Sequence, residues 1–178
     1  ECLQSCIIEL ATNASRANMK HAFFTDASLD PAIDDQYQRG VRKFKEHRQS
    51  GGWHRDLCLR ARDLGLFLEI VFRHSESGMR IEVINNLPLL PQDEARIREK
   101  LRVAMHSADI FEFYNEHGDD TEGQGLGFAM NVLFLRSENI DPGLLRIGSR
   151  DGCTTARLEV PLRSDFVTMR QAAAALSA

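Results

Sequence analysis

The sequence predicts an α+β domain, on three observations. Apolar residues recur at helical spacing over several long stretches, strand-like runs come as two adjacent pairs joined by turn residues, and no shift in composition divides the chain. With 178 residues, 43% hydrophobic and 27% charged, the chain can bury about two-thirds of its unfolded surface and hold one core without staples. Its net charge is −4, from 22 basic against 26 acidic residues, which argues against a domain built to hold nucleic acid by its phosphates. Cys2, Cys6, Cys58 and Cys153 show neither CxxC spacing nor an extracellular disulfide pattern. On that cysteine pattern a reducing cytoplasm is the expected setting; no run approaches bilayer length, and no signal-peptide pattern is read at the start. The first residue, Glu1, already lies inside a helical pattern, as in a piece of a longer protein.

Residues 1 to about 24 read as one helix, ended by Phe23-Phe24 and the turn-prone Thr25-Asp26-Ala27-Ser28. His21 falls on its apolar side and is expected to be a packed, hydrogen-bonded core histidine rather than a phosphoacceptor. Two helices follow between Asp34 and Leu64, with Ser50-Gly51-Gly52 as the break and Trp53 as a packing anchor. Between Arg39 and Arg62, eight Lys/Arg stand against two acids, a local +6 that fits either a docking face for an acidic partner or a solvated helical pair. Gly65 to Arg73 and Gly78 to Ile84 read as paired strands around His74-Ser75-Glu76-Ser77, and the second runs into Asn85-Asn86-Leu87-Pro88. A helix is expected from Pro91 to about His106, with Gln92, Asp93 and Glu94 suited to its first turn. The acidic loop Asn115 to Glu122 leads to Gly123-Gln124-Gly125-Leu126-Gly127-Phe128 and a buried helix from Ala129 to Leu135. Strands at about Leu144 to Ser149 and Thr154 to Leu162 meet at Asp151-Gly152, a strong hairpin turn, and the last ten residues read as a short helix or a frayed tail. There is no internal repeat.

Two stretches carry chemistry. On the first helix Glu9, Asn13, Arg16 and Lys20 share one narrow polar stripe beside the apolar face of Leu3, Cys6, Ile7, Leu10, Ala14 and Ala17. A carboxylate, an amide and two cations side by side suit a divalent cation on a polyphosphate, with a base near enough to handle a proton. The same stripe also fits a solvated face of i,i+4 pairs. In the second stretch, glycines spaced two apart let the backbone approach a ligand, and the helix that follows offers free N–H groups to phosphate. This motif does not follow a first parallel strand, and no GxxxxGK[ST] exists, so neither a dinucleotide fold nor a P-loop is read here.

In order, a helix with ExxxNAxxAN, a strand ending in NNxP, a helix, a loop, GxGLGF opening another helix and a terminal hairpin resemble the histidine-kinase-like ATPase superfamily, also called the GHKL or Bergerat-fold superfamily. Sensor histidine kinases, gyrase B, the ninety-kilodalton chaperones and mismatch-repair ATPases belong to it, and the resemblance runs from about Glu1 to Leu162. It implies a two-layer sandwich, a mixed, mainly antiparallel sheet with helices on one face and ATP between the helices and a glycine lid. Residues 1–165 would form that domain, with the helical pair 34–64 as an insertion and 166–178 as a tail. Carried onto matching positions, Asn13 holds Mg²⁺, Glu9 orients or deprotonates the attacking group, and Arg16 and Lys20 bind phosphate. Asn85 meets adenine, and Gly123, Gly125, Leu126 and Gly127 close over the phosphates as a lid that is mobile without nucleotide.

The chain departs from the family at Asn85-Asn86-Leu87-Pro88-Leu89, where the superfamily has Asp-x-Gly-x-Gly. An amide oxygen accepts the adenine amino hydrogen without charge, so affinity is expected to be weaker by about 1 kcal/mol. Leu87 and Leu89 narrow the pocket or re-route its backbone. No phosphoacceptor histidine helix precedes the Glu9 stretch, which places an acceptor upstream or on a partner, such as a response-regulator-type protein. The function implied is phosphoryl transfer from ATP-Mg²⁺ to a protein histidine, or to a serine, in bacterial signalling. The alternatives are a degenerate module that docks a partner and an ATPase that drives a conformational cycle.

Overall fold

A computed structural model describes residues 2–107 and 126–176. The first helix, α1 (Cys2–Asp26), is the spine, and it is followed by α2 (Asp34–His47) and α3 (Trp53–Asp63). The strands β1 (Leu68–His74) and β2 (Gly78–Asn85) lead to α4 (Pro91–His106) and α5 (Leu126–Ser137). A 3₁₀ turn at Pro142–Leu144, the hairpin β3 (Leu145–Arg150) and β4 (Cys153–Pro161), and α6 (Met169–Leu176) complete the chain.

The four strands form one sheet in the order β1-β2-β4-β3, with Ile81 opposite Leu158 and Val83 opposite Ala156 across its centre. Every pair among the described residues is antiparallel, where a mixed sheet was expected. The two outer pairs are hairpins, which allow no other direction. The β3–β4 turn has positive φ at both Asp151 (52°) and Gly152 (78°), the conformation that matches strand twist in a two-residue hairpin. Alternation divides the sheet into two faces. Val83, Ala156, Leu158 and Val160 point inward, where they meet Cys6 and Leu10 of α1 and Phe128 and Leu135 of α5 in the main core, and Ile81 is buried on the same face. The helices α1, α4 and α5 thus make the second layer.

The opposite face carries Arg80, Glu82, Arg157 and Glu159. Glu159 is only 1% exposed, yet its carboxylate is not orphaned: Arg80 Nε donates to it at 3.3 Å and the backbone N–H of Met169 at 2.8 Å. The tail therefore crosses this face as the segment leading into α6, and Phe166 packs where a side chain on Gly78 would stand. The helical pair packs on the far half of α1, with Met19, Phe44 and Leu57 in one cluster and Phe24, Leu29 and Tyr37 in another. Trp53 meets Phe44 edge-on at 6.4 Å.

The strand β1 begins three residues later than the sequence pattern suggests. Gly65 has φ 70° and ends α3, with Leu66 N–H donating back to the Ala61 carbonyl at 2.9 Å. The backbone of Phe67 is held by asparagine side chains instead of a neighbouring strand, its N–H donating to Asn86 Oδ1 at 2.8 Å and its carbonyl accepting from Asn18 Nδ2 at 3.1 Å. No described helix is long and apolar enough to cross a membrane.

Candidate functional site

The residues 9, 13, 16 and 20 recur at the spacing of successive helical turns, and α1 presents Asn13, Arg16 and Lys20 to the space between the sheet and α4, with Glu9 outside the lining one turn before Asn13. A cavity of ≈ 360 Å³ opens there. Its apolar wall includes Leu10, Ala14, Ala17, Val83, Phe128 and Ala156, and its polar groups include Asn13, Arg16, Lys20, Asn85, Asp93, Arg96, Lys100 and Thr154. Among the described lining residues, four cations stand against one carboxylate in an acidic protein. In a concave, low-dielectric site that balance favours an anionic ligand group.

Glu9 and Asn13 are joined directly, Asn13 Nδ2 donating to Glu9 Oε1 at 2.9 Å. This leaves the Asn13 amide oxygen as the acceptor that faces other groups. The Glu9 side chain lies against Gly127 on α5, where an added Cβ would stand 1.6 Å from Glu9 Oε1. Residues 118 positions apart in sequence thus make one contact, and it requires glycine. Of the expected lid, Gly123 and Gly125 lie outside the described residues, as does the acidic loop 115–122, Leu126 is described only as the first residue of α5, and Gly127 is the glycine against Glu9.

Lys20 is not a lone cation. It forms an ion pair with Asp93, whose carboxylate also accepts from Tyr37 Oη at 2.7 Å and Arg96 at 2.6 Å. One carboxylate therefore ties α1, α2 and α4 together at the cavity. Burial alone would raise the Asp93 pKa, but the Lys20 charge, the bonds from Lys20 and Tyr37 and the Arg96 charge outweigh it and hold the carboxyl below its ordinary value. Lys20 is drawn down, because burial of its ammonium and repulsion from Arg96 together exceed the pull of a single anion. The two directions agree: Asp93 faces two cations, while Lys20 shares its one anion with Arg96. Tyr37 is pushed upward by burial and by the same carboxylate.

Asn85 is 4% exposed, and its Nδ2 donates to Asn18 Oδ1 at 3.3 Å. Leu87 and Leu89 both belong to the cavity wall, and the cavity remains open beside them. Their backbone is held by the terminal hairpin, with Thr154 Oγ1 donating to the Leu87 carbonyl at 2.7 Å and Leu89 N–H donating to Ser149 Oγ at 3.2 Å. His21, expected in the core, is exposed beside the cavity, because the helix turns that position past the edge of the packed face. Partial burial lowers its pKa.

Tyr37, Asp93 and Arg96 were given no site role by sequence, and Asn18 entered only as the last residue of the ExxxNAxxAN pattern. Asp93 has the signature of a first-turn helix residue and Tyr37 that of an apolar face, and neither signal reveals that the two side chains meet. For a metal, the donor set is decisive. No group of three or more His, Cys, Asp or Glu that could hold one lies among the described residues. An amide oxygen beside a carboxylate does suit Mg²⁺ carried in on phosphates, since that ion keeps most of its ligands as phosphate oxygens and water.

Comparison with known proteins adds one relative. A protein of Treponema pallidum (strain Nichols), described as uncharacterized, is 30% identical over 166 residues. The match covers 93% of this chain and 32% of that protein, so the chain spans about a third of the relative's length. No family model matches the chain, and no solved structure matches it.

Proposed function

We propose that this chain is an ATP-Mg²⁺-binding catalytic domain of the histidine-kinase-like ATPase superfamily, with a Bergerat-type fold, that transfers the γ-phosphoryl group to a protein side chain. The observation that supports it best is the meeting of separate motifs around Asn13: it lines the cavity together with Asn85, Glu9 is bonded to it from outside the lining, and Gly127 is pressed on Glu9. A solvated helix face would give no reason for the Glu9 carboxylate to occupy the space of a missing Cβ.

In this reading the base enters the apolar part of the cavity beside Asn85, and the phosphates face Arg16, Lys20, Arg96 and Lys100. Mg²⁺, when bound, neutralises charge on the phosphates, and Asn13 offers the protein oxygen for it. Glu9 orients the attacking group or takes its proton. The acceptor is a histidine, or less favourably a serine, of a protein partner or of another part of a longer chain, and the setting is bacterial cytoplasmic signalling. Calorimetric titration with AMP-PNP, with and without Mg²⁺, beside Asn13→Ala tests this. Metal-dependent binding that disappears in Asn13→Ala is the expected result; no binding at millimolar ligand would remove the reading.

The second reading is a protein-interaction module that keeps the fold without catalysis. It is favoured by Leu87 and Leu89 in the wall and by the exposed Arg39, Arg42, Lys43, Arg55 and Arg62 of the helical pair. The same titration separates the two.

A further inference from the structure

Asn18 sits on α1 half a turn away from the Glu9 stripe, is 6% exposed, and has no part in the phosphoryl transfer proposed above. Its carboxamide is engaged at both ends. Nδ2 donates to the Phe67 carbonyl at 3.1 Å, and Oδ1 accepts from Asn85 Nδ2 at 3.3 Å.

The direction of these bonds follows from chemistry. A backbone carbonyl can only accept, so Asn18 must turn its NH₂ toward Phe67 and its oxygen toward Asn85. Asn85 must then answer with its own NH₂. The anchor is itself held, because Phe67 N–H donates to Asn86 Oδ1 at 2.8 Å and Asn86 Nδ2 donates to the Gly65 carbonyl at 3.0 Å. The second Nδ2 hydrogen stays at the Asn18 end of the Asn85 carboxamide, and the opposite end is Oδ1, an acceptor to which no described residue donates.

We propose that Asn18 is a positioning residue that sets the chemical selectivity of the cavity: by holding Asn85 Nδ2 it fixes Oδ1 as an acceptor, so the site takes a heteroaromatic ring bearing an amino group and rejects the same ring bearing an oxo group. This rests on the nucleotide reading above and specifies the base. Left unanchored, the Asn85 carboxamide could rotate and present either end, and an amide that offers both ends discriminates neither ring. Asn18 is not among the cavity-lining residues, so replacing it removes no ligand contact.

The test is titration of the full chain, with Mg²⁺, by AMP-PNP and by the inosine analogue in which an oxo group replaces the amine. The unaltered protein is expected to prefer the adenine analogue by about ten- to hundredfold, the usual consequence of an unpaired or repelled buried acceptor. In Asn18→Leu the preference is expected to fall to within about threefold. Asn18→Asp should restore it, because a buried carboxyl driven to its neutral form can donate to the Phe67 carbonyl and accept from Asn85 as the amide does. Asn18→Ala carries the same expectation as Asn18→Leu if the leucine variant does not fold. Equal affinities in the unaltered protein, or an undiminished preference in Asn18→Leu or Asn18→Ala, would overturn the positioning role while leaving nucleotide binding intact. Failure of both analogues to bind the unaltered protein would overturn the nucleotide reading and this inference with it.

Discussion

Gly127 has no room for a methyl group, since a Cβ there would stand within 2.0 Å of Glu9 Cδ. Gly127→Ala is therefore expected to displace the carboxylate from Asn13 and to cost about 1–3 kcal/mol in denaturant unfolding, as overpacking does. In a Glu9→Ala background that cost should nearly vanish, because alanine is otherwise the better helix former. Additive costs in the double-mutant cycle would mean that the two residues do not touch. Asp93 makes a prediction on the pH axis. Its folded pKa lies below the ordinary carboxylate value, so its contribution is present above about pH 4 and is lost as pH falls through the folded value. Asp93→Ala should destabilise by about 3–5 kcal/mol near neutrality, because it strands Lys20, and the gap from the unaltered protein should narrow below about pH 4. A gap constant from pH 7 to pH 2.5 would sink the ion-pair account. Asn85→Asp, which copies the residue of the superfamily the chain resembles, is expected to weaken the fold near neutrality and less at low pH: at 4% exposure the carboxyl must be held neutral to donate to Asn18 Oδ1, and that protonation costs more as pH rises.

At the scale of elements, α1 serves three surfaces along its length. Cys6 and Leu10 meet the sheet, Met19 meets Phe44 and Leu57, and Phe24 meets Tyr37. Burial drives Cys6 to about 12, so it behaves as a small apolar side chain rather than a reactive thiol. The strand β4 is the sheet's other centre, paired on both sides and fully buried at Leu158. Leu158→Ala is expected to cost about 2–5 kcal/mol, while truncation of the exposed Leu176 in α6 should stay within about 0.5 kcal/mol. Comparable losses at both positions would show that α6 is part of the cooperative core. Element boundaries were largely legible: the expected helix from Pro91 to about His106 is α4, and the Asp151-Gly152 turn joins β3 to β4. α5 begins at Leu126, ahead of the expected Ala129, and β1 begins late, because Gly65 and two asparagine side chains hold the residues before it, and no periodicity in the strand itself announces that.

For the whole molecule, a net charge of −4 coexists with a cavity whose wall is cationic. The cations come from α1 (Arg16, Lys20) and α4 (Arg96, Lys100), so the site depends on how those two helices sit together. A ligand held there couples to the global fold. With AMP-PNP and Mg²⁺ at a hundredfold excess over Kd, stabilisation of about 2.7 kcal/mol is expected, a rise of several degrees in Tm for a chain of this size. Asn13→Ala should lose the part of that rise that Mg²⁺ provides. A Tm unmoved by saturating nucleotide in the unaltered protein would instead favour the interaction module.

By itself the sequence determined the α+β class, the order of its elements and the polar stripe of α1, because these depend on periodicity, turn chemistry and spacing within one element. It also marked where Asn85 to Leu89 differ from the superfamily the chain resembles. What only the tertiary structure decided is which side chains face each other: that Glu9 fills the space beside Gly127, that Asp93 takes up Lys20, Tyr37 and Arg96, and that Asn18 orients Asn85. Asn18 lies half a turn from the stripe and Asp93 reads as an ordinary first-turn residue, so a one-dimensional pattern gives neither of them a partner. Contacts between elements depend on the angle and depth at which helices cross a sheet, and those are set by the packing of the whole core at once.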